Sequence, residues 1–381
     1  MKTKLIILYL SSVVFFGCGK KNQKASVNMD GVTTISVSSV EETLQDTSCF
    51  KKPQIIVLET IEESLLSRID RISFDENRLF IFDKNLMEIL SFDLTGKYIG
   101  KVKNRGQGPG EYIQISDFAI DINQKQMILL CDVPNKLMYF TYDGTFVKEE
   151  KLDDYYMQLV TDNSYIYLER MNNTEIEKGQ LGILSKQTDE MREAMDQIDI
   201  KNHFFISGNS LNKGKDILYV RRFDNSIYKV DDGEIFAKYN IDFQNYSFPD
   251  KLVREESSEI ILKECFDNNY IFSMANIVNS GHYFMFTTNL GLFLYDKKND
   301  VLNGYNQMLN EKWGATFFTY MPLDNTNNII CTIDDPSSIK HAVEHMPADK
   351  KADKKYSEML DIVSTLTDEN NPILFIYEFD D

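Results

Sequence analysis

The chain has 381 residues, with 41 Lys and Arg against 59 Asp and Glu and a formal net charge of −18. So acidic a body repels phosphate backbones and anionic headgroups, which argues against a nucleic-acid partner. Hydrophobic residues at 43% and aromatics at 12% suffice for a sizeable core, and the dominance of 25 Phe and 20 Tyr over one Trp favours strands.

Residues 1–17 carry Lys2 and Lys4, an apolar run and Gly17 directly before Cys18. The run is too short for a comfortable membrane span and is expected to be a secretory signal, in preference to an uncleaved anchor. Gly17-Cys18 resembles the lipobox of bacterial lipoproteins, which makes Cys18 the lipidated first residue. Loss of Lys2 and Lys4 takes the charge from −18 to −20, so membrane attachment falls to the lipid. Residues 19–24 lack the aspartate and the acidic cluster that redirect such lipoproteins. The expected address is the outer membrane facing the periplasm, with surface exposure left open. Residues 18–52, polar and rich in Ser and Thr, are expected to be a flexible tether. The folded body is expected over 53–381.

Beyond Pro53 short apolar runs alternate with turn residues roughly every ten positions, the pattern of antiparallel meanders. Ile69–Phe74, Arg78–Phe82, Met87–Phe92 and Lys97–Val102 form one four-strand unit; Ile115–Ile120, Gln126–Cys131, Leu137–Tyr142 and Phe146–Leu152 form the next. Weaker copies start near Tyr156, Asp216, Ile271 and Phe317, and the last resumes at Ile373–Phe379. Four strands per 40–50 residues match a propeller blade. The expected fold is all-β, a six-bladed β-propeller of four-stranded antiparallel blades with helical insertions near 250–267 and 337–366. Gln54–Ile61 is expected to close the ring by pairing with the last strand. Cys49, Cys131, Cys265 and Cys331 show no paired spacing and are expected to be buried free thiols.

Between the first two units lies Arg105-Gly106-Gln107-Gly108-Pro109-Gly110-Glu111-Tyr112. Its glycines and proline exclude helix and central strand. With strands on both sides and no following helix, it lacks the dipole of a phosphate cradle. The segment Gly100–Asp121 resembles the blade connector of NHL-related six-bladed propellers of bacterial lipoproteins, and Asp368–Tyr377 resembles that group's Asn-Pro-then-strand ending. The resemblance implies a fold and no single reaction. Arg105 and Glu111 are expected to brace the loop.

Catalytic signatures are sparse. His341, Glu344 and His345 have the spacing of the His-x-x-Glu-His zinc sites of inverzincins. Only 36 residues follow His345, and the surroundings are charged, so a solvated helix is the expectation and no metal or cofactor is assigned. Asp70, Asp75, Asp117 and Asp121 could line a central channel and hold Ca²⁺; turn chemistry accounts for them equally. The expectation is a lipid-anchored, non-catalytic module binding a protein, peptide or glycan at one propeller face. The alternative is a metal-assisted hydrolase or lactonase-like enzyme using channel carboxylates.

Overall fold

The computed structural model describes residues 25–75, 77–170, 178–198, 208–310, 315–317, 321–323 and 329–381. The fold is all-β and propeller-like, with a few short helices. Its first sheet is the meander Arg71–Asp75, Arg78–Asp83, Glu88–Asp93 and Tyr98–Val102. The second is Gln114–Asp121, Gln126–Val133, Asn135–Thr141 and Phe146–Lys151. The third is Tyr156–Thr161, Tyr165–Arg170, Gly179–Ser185 and Met191–Asp196.

Strand alternation stacks these sheets face to face. In the strand Arg78–Asp83, Phe80 and Phe82 pack towards Phe118, Leu129 and Met138 of the second sheet. Leu79 and Ile81, one step out of phase, pack towards Ile56, Cys331 and Leu374 of the last sheet. Both faces of the strand are therefore buried, so a period of two in side-chain direction appears in the sequence as a continuous apolar run.

The last sheet takes Met321–Pro322, Ile329–Asp334 and Ile373–Glu378, and its fourth strand is Gln54–Val57. Ile373 pairs with Val57 and Ile376 with Gln54, antiparallel, so the start and end of the body share one sheet. The expected closing pair is present, with the strand ending at Val57.

The remaining strands depart from six separate sheets. Leu211–Lys213, Ile217–Tyr219, Ser226–Asp231 and Glu234–Asp242 form one meander, and Met274–Asn279, Tyr283–Thr288, Gly291–Asp296 and Val301–Asn310 another. Thr33–Gln45 lies parallel between their outer strands and fuses them, with the short strands Val27–Asn28 and Ala315–Phe317 added, into one 11-stranded sheet. The partition is thus four four-stranded sheets and one large one. It also corrects the expected tether at 18–52: Thr33–Gln45 is an ordered strand of 13 residues. Its Ser and Thr face outwards while Ile35, Val37 and Leu44 are buried, an alternation that average polarity conceals.

The innermost strands adjoin one another in a cycle. Arg71–Asp75 neighbours Gln114–Asp121, followed by Tyr156–Thr161, Leu211–Lys213, Met274–Asn279 and Met321–Pro322, which returns to Arg71–Asp75. Helices fill the two expected insertions: Asp250–Val253 and Ser258–Asn268, then Pro336–Glu344, Ala348–Lys351 and Ser357–Thr365. Ser257 caps its helix by accepting from Ile260 N–H at 3.3 Å. All four described cysteines are buried and free.

Candidate functional site

A cavity of about 880 Å³ opens where the innermost strands begin. Arg71, Asp117, Gln158, Asn209, Asn276 and Met321, at or near the start of the six inner strands, all contribute to its wall. Arg68, Asp70 and Lys84 form part of its rim, and Leu262 of the helix Ser258–Asn268 reaches it from outside the ring.

Polar clasps hold the seams between neighbouring sheets at this end. Arg71 Nη1 donates to Asp117 Oδ2 at 2.5 Å, and the same oxygen accepts from Leu159 N–H at 2.8 Å, which ties the first three sheets together. Gln158 Oε1 accepts from Ser210 N–H at 3.0 Å and Leu211 N–H at 3.2 Å, joining the third sheet to the large one. Within the large sheet Asn276 pairs with Asn209 twice, its N–H donating to the Asn209 carbonyl at 2.8 Å and its Oδ1 accepting from Asn209 N–H at 2.9 Å. Asn276 sits at φ 53°, in an irregularity of the strand ladder. Asn371, of the Asn-Pro ending, accepts from Leu66 N–H at 2.9 Å and donates to the carbonyls of Glu59 and Ser64. Such buried side-chain-to-backbone bonds make the cavity wall rigid.

The rim is set by Asp83, which is wholly buried. Its Oδ2 accepts from Ser67 and Arg68 N–H at 2.6 and 3.0 Å, and its Oδ1 from Asn85 and Leu86 N–H at 3.0 and 2.9 Å. This one carboxylate fixes the two loops that carry Arg68 and Lys84. Arg68 pairs with Asp70 at 2.6 Å, while Lys84 is exposed and has no ion-pair partner among the described residues. Behind the wall, Glu169 accepts from Ser210 Oγ and, at 3.4 Å, from Tyr219 OH. Burial pushes its carboxyl up to about 7, against the opposing pull of Ser210 and Arg222.

The four channel acids do not meet. Asp70 and Asp117 line this cavity, each against an arginine. Asp75 and Asp121 line two other cavities at the opposite end of the inner strands, of about 470 and 500 Å³. Asp121 there pairs with Lys186 at 2.6 Å. An inner strand of five residues is roughly 16 Å long, which separates the two sets.

In the glycine-rich connector, Gly106 N–H bonds the Tyr112 carbonyl and Tyr112 N–H the Asn104 carbonyl, each at 2.9 Å. Tyr112 is fully buried, and its OH donates to the Met87 carbonyl at 2.9 Å. Glu111 braces the loop by accepting from Gly108 N–H at 2.7 Å; a Cβ on Gly106 would lie 2.0 Å from the same carboxylate oxygen. The expected Arg105–Glu111 brace is not formed among the described residues, and Arg105 is exposed. Gly110 supplies φ +76° at the turn. Pro109 and the glycines serve this shape, away from the cavity. His341, Glu344 and His345 do come together, exposed, outside the ring. Cys18 lies outside the described residues.

The arrangement of sheets, ring and closing strand can be set beside known proteins. Residues 32–378 match the family described as Domain of unknown function (DUF4934). The chain belongs to this family. DUF4934 thus extends over the strand Thr33–Gln45 as well as the ring. No curated protein matches the chain. Among solved structures, a Bacteroides fragilis NCTC 9343 protein whose name describes it as exported is similar at TM-score 0.73 and 18% identity, over 92% of this chain and 100% of that one. A DUF4221 member from Bacteroides vulgatus ATCC 8482 reaches TM-score 0.49 at 9% identity, over 87% of this chain and 98% of that one. The first likeness shows that this DUF4934 chain shares its overall fold with a solved structure. Among its described residues no helix is long and apolar enough to cross a membrane.

Proposed function

We propose that this DUF4934 chain is a lipid-anchored six-bladed propeller, related to the NHL group, that binds an extended peptide or glycan carrying an anionic group in the cavity at the start of its inner strands. Six inner strands adjoining in a cycle support the blade count, with Thr33–Gln45 as an outer strap across two blades. The observation that carries the ligand class is charge. In a chain of net charge −18, the described cavity wall holds Arg68, Arg71 and Lys84 against Asp70 and Asp117. The arginines are answered by these acids, which leaves Lys84 at the rim. Carboxamides and hydroxyls share the remaining wall with apolar side chains such as Phe272, Met157 and Ile333, and the volume suits a bound segment of a polymer.

The path of the N-terminal strand supports an outward-facing cavity. Val27–Asn28 pairs with Ile235–Phe236, at the beginning of the outer strand Glu234–Asp242. Asp231 and Asp232, just before that strand, line one of the cavities at the opposite end of the ring. A lipid on Cys18 would therefore hold that opposite end towards the outer-membrane surface and turn the large cavity to solvent.

The test is binding of acidic and neutral peptides and glycans to purified protein, followed by calorimetry. Lys84→Glu is expected to abolish binding of an anionic ligand while leaving the melting temperature unchanged. Stoichiometric Ca²⁺ or Zn²⁺ in the purified protein, together with ester or lactone hydrolysis, would instead favour the metal-assisted hydrolase.

A further inference from the structure

The helix Pro336–Glu344 follows the strand Ile329–Asp334, whose Ile333 lines the large cavity, so the helix leaves the ring on the cavity side. Pro336 at its first turn starts the helix, and His345 caps its C-terminal end in helical geometry at φ −87° and ψ 0°. Positions 341, 344 and 345 then share one face, because residues three and four apart lie one above the other.

We infer that His341, Glu344 and His345 form a binding site for a divalent transition metal of the zinc class. One ligand atom from each lies within 4.8 Å of the other two, and all three residues are exposed. The two imidazole rings stand 4.1 Å apart. His345 Nδ1 lies 2.9 Å from the His341 carbonyl oxygen. A carbonyl can only accept, so this nitrogen carries the proton, and Nε2 presents its lone pair outwards. Such a bond on the second ring nitrogen orients a ligating histidine in metal sites. The site also lies at the C-terminal end of the helix, where the backbone dipole favours a cation.

The donor set selects the ion. Two imidazoles and one carboxylate suit Zn²⁺, Cu²⁺ or Ni²⁺, whereas Ca²⁺ and Mg²⁺ require more oxygens. Metal–nitrogen bonds of about 2.1 Å draw ligand atoms to roughly 3.4 Å from one another, a closure that exposed rotamers can make. Three protein ligands leave a position for water or for a donor from a molecule docked on the cavity face. Lys351 Nζ, 3.2 Å from the Glu344 carbonyl, places a positive charge beside the site that opposes the cation. All three ligands stand open to solvent, so the inference is metal binding and carries no catalytic step.

Titration of metal-free protein with ZnCl₂ tests this. One saturable site is expected. Loss of about tenfold or more in affinity is expected for His341→Ala and for His345→Ala, and a smaller loss for Glu344→Gln, with unchanged melting temperature in chelator. Co²⁺ should give the visible absorption of a nitrogen-ligated site, and millimolar Ca²⁺ should not displace Zn²⁺. Absence of saturation, or binding that survives the His341→Ala/His345→Ala double variant, overturns the assignment.

Discussion

Arg71 and Asp117 meet across the seam between the first and second sheets, Nη1 to Oδ2 at 2.5 Å, with side chains only 4% and 6% exposed. Removing one partner takes this close ion-pair contact from a buried charge, a loss of about 3–5 kcal/mol. Arg71→Met and Asp117→Leu should each lower stability by this order, whereas the double variant should lose less than the sum of the two. Asp117→Leu also deprives Leu159 N–H of its acceptor, so it should be the worse of the single variants. Urea unfolding of the four proteins in a double-mutant cycle measures the coupling.

Glu169 makes the stability of this region depend on pH. Its folded carboxyl titrates at about 7, raised by burial from the usual 4.5. Between those values the folded state retains a proton that the unfolded chain has released, so stability falls as pH rises from about 4.5 to 7 and then levels off. Glu169→Gln should flatten that slope. Melting temperatures at half-unit pH steps, in wild type and variant, decide the matter; an identical slope in both would assign it to another group.

A third expectation concerns the closing seam. Gly96 has φ +89°, and a Cβ there would lie 2.1 Å from the Val57 carbonyl oxygen of the closing strand. Its own carbonyl accepts from Glu59 N–H at 2.8 Å. Gly96→Ala incurs the left-handed penalty of roughly 1–2 kcal/mol and must also push the closing strand aside. Gly100 has open space around its Cβ position and no positive φ. Gly100→Ala should therefore leave the melting temperature nearly unchanged while Gly96→Ala lowers it by several degrees.

The seam residues show what the sequence made legible. Turn residues such as Asp93 and Gly96, spaced between apolar runs, give the meanders of the first two sheets to within two or three residues, because turn chemistry is local. The inner strand Leu211–Lys213 has only three residues, one apolar, and could not be seen. Thr33–Gln45 was hidden because its exposed Ser and Thr outnumber its buried Ile35, Val37 and Leu44. Of the cavity wall only Asp70 and Asp117 are legible as channel candidates, and the rest is hidden for a topological reason: Arg71, Gln158, Asn209 and Asn276 are scattered through the chain and gathered only by ring closure. The signal that could have found them is positional, since each stands at or near the first residue of an inner strand. Asn371 stands in the Asn-Pro ending that the sequence displays, but its clasp on Leu66 and Ser64 forms only when distant segments meet in the fold.

The last expectation concerns orientation on a membrane. From Cys18 to Ala25 the extended chain spans at most about 25 Å, so a lipid on Cys18 keeps the end of the ring near Ile235 close to the bilayer. Lys125 lines a cavity at that end, whereas Phe266, 83% exposed, is on the helix whose Leu262 reaches the large cavity. Single cysteines placed at these two positions can be labelled selectively. Burial pushes the thiols of Cys49 and Cys131 up to about 12 and that of Cys265 to about 11, and raises that of Cys331 as well. In lipidated protein on vesicles carrying a nitroxide headgroup, a fluorophore on Lys125→Cys should be quenched more strongly than one on Phe266→Cys. Protein that fails to float with the vesicles would refute the lipid anchor itself. Equal quenching of both labels on protein that does float would refute only the outward-facing cavity.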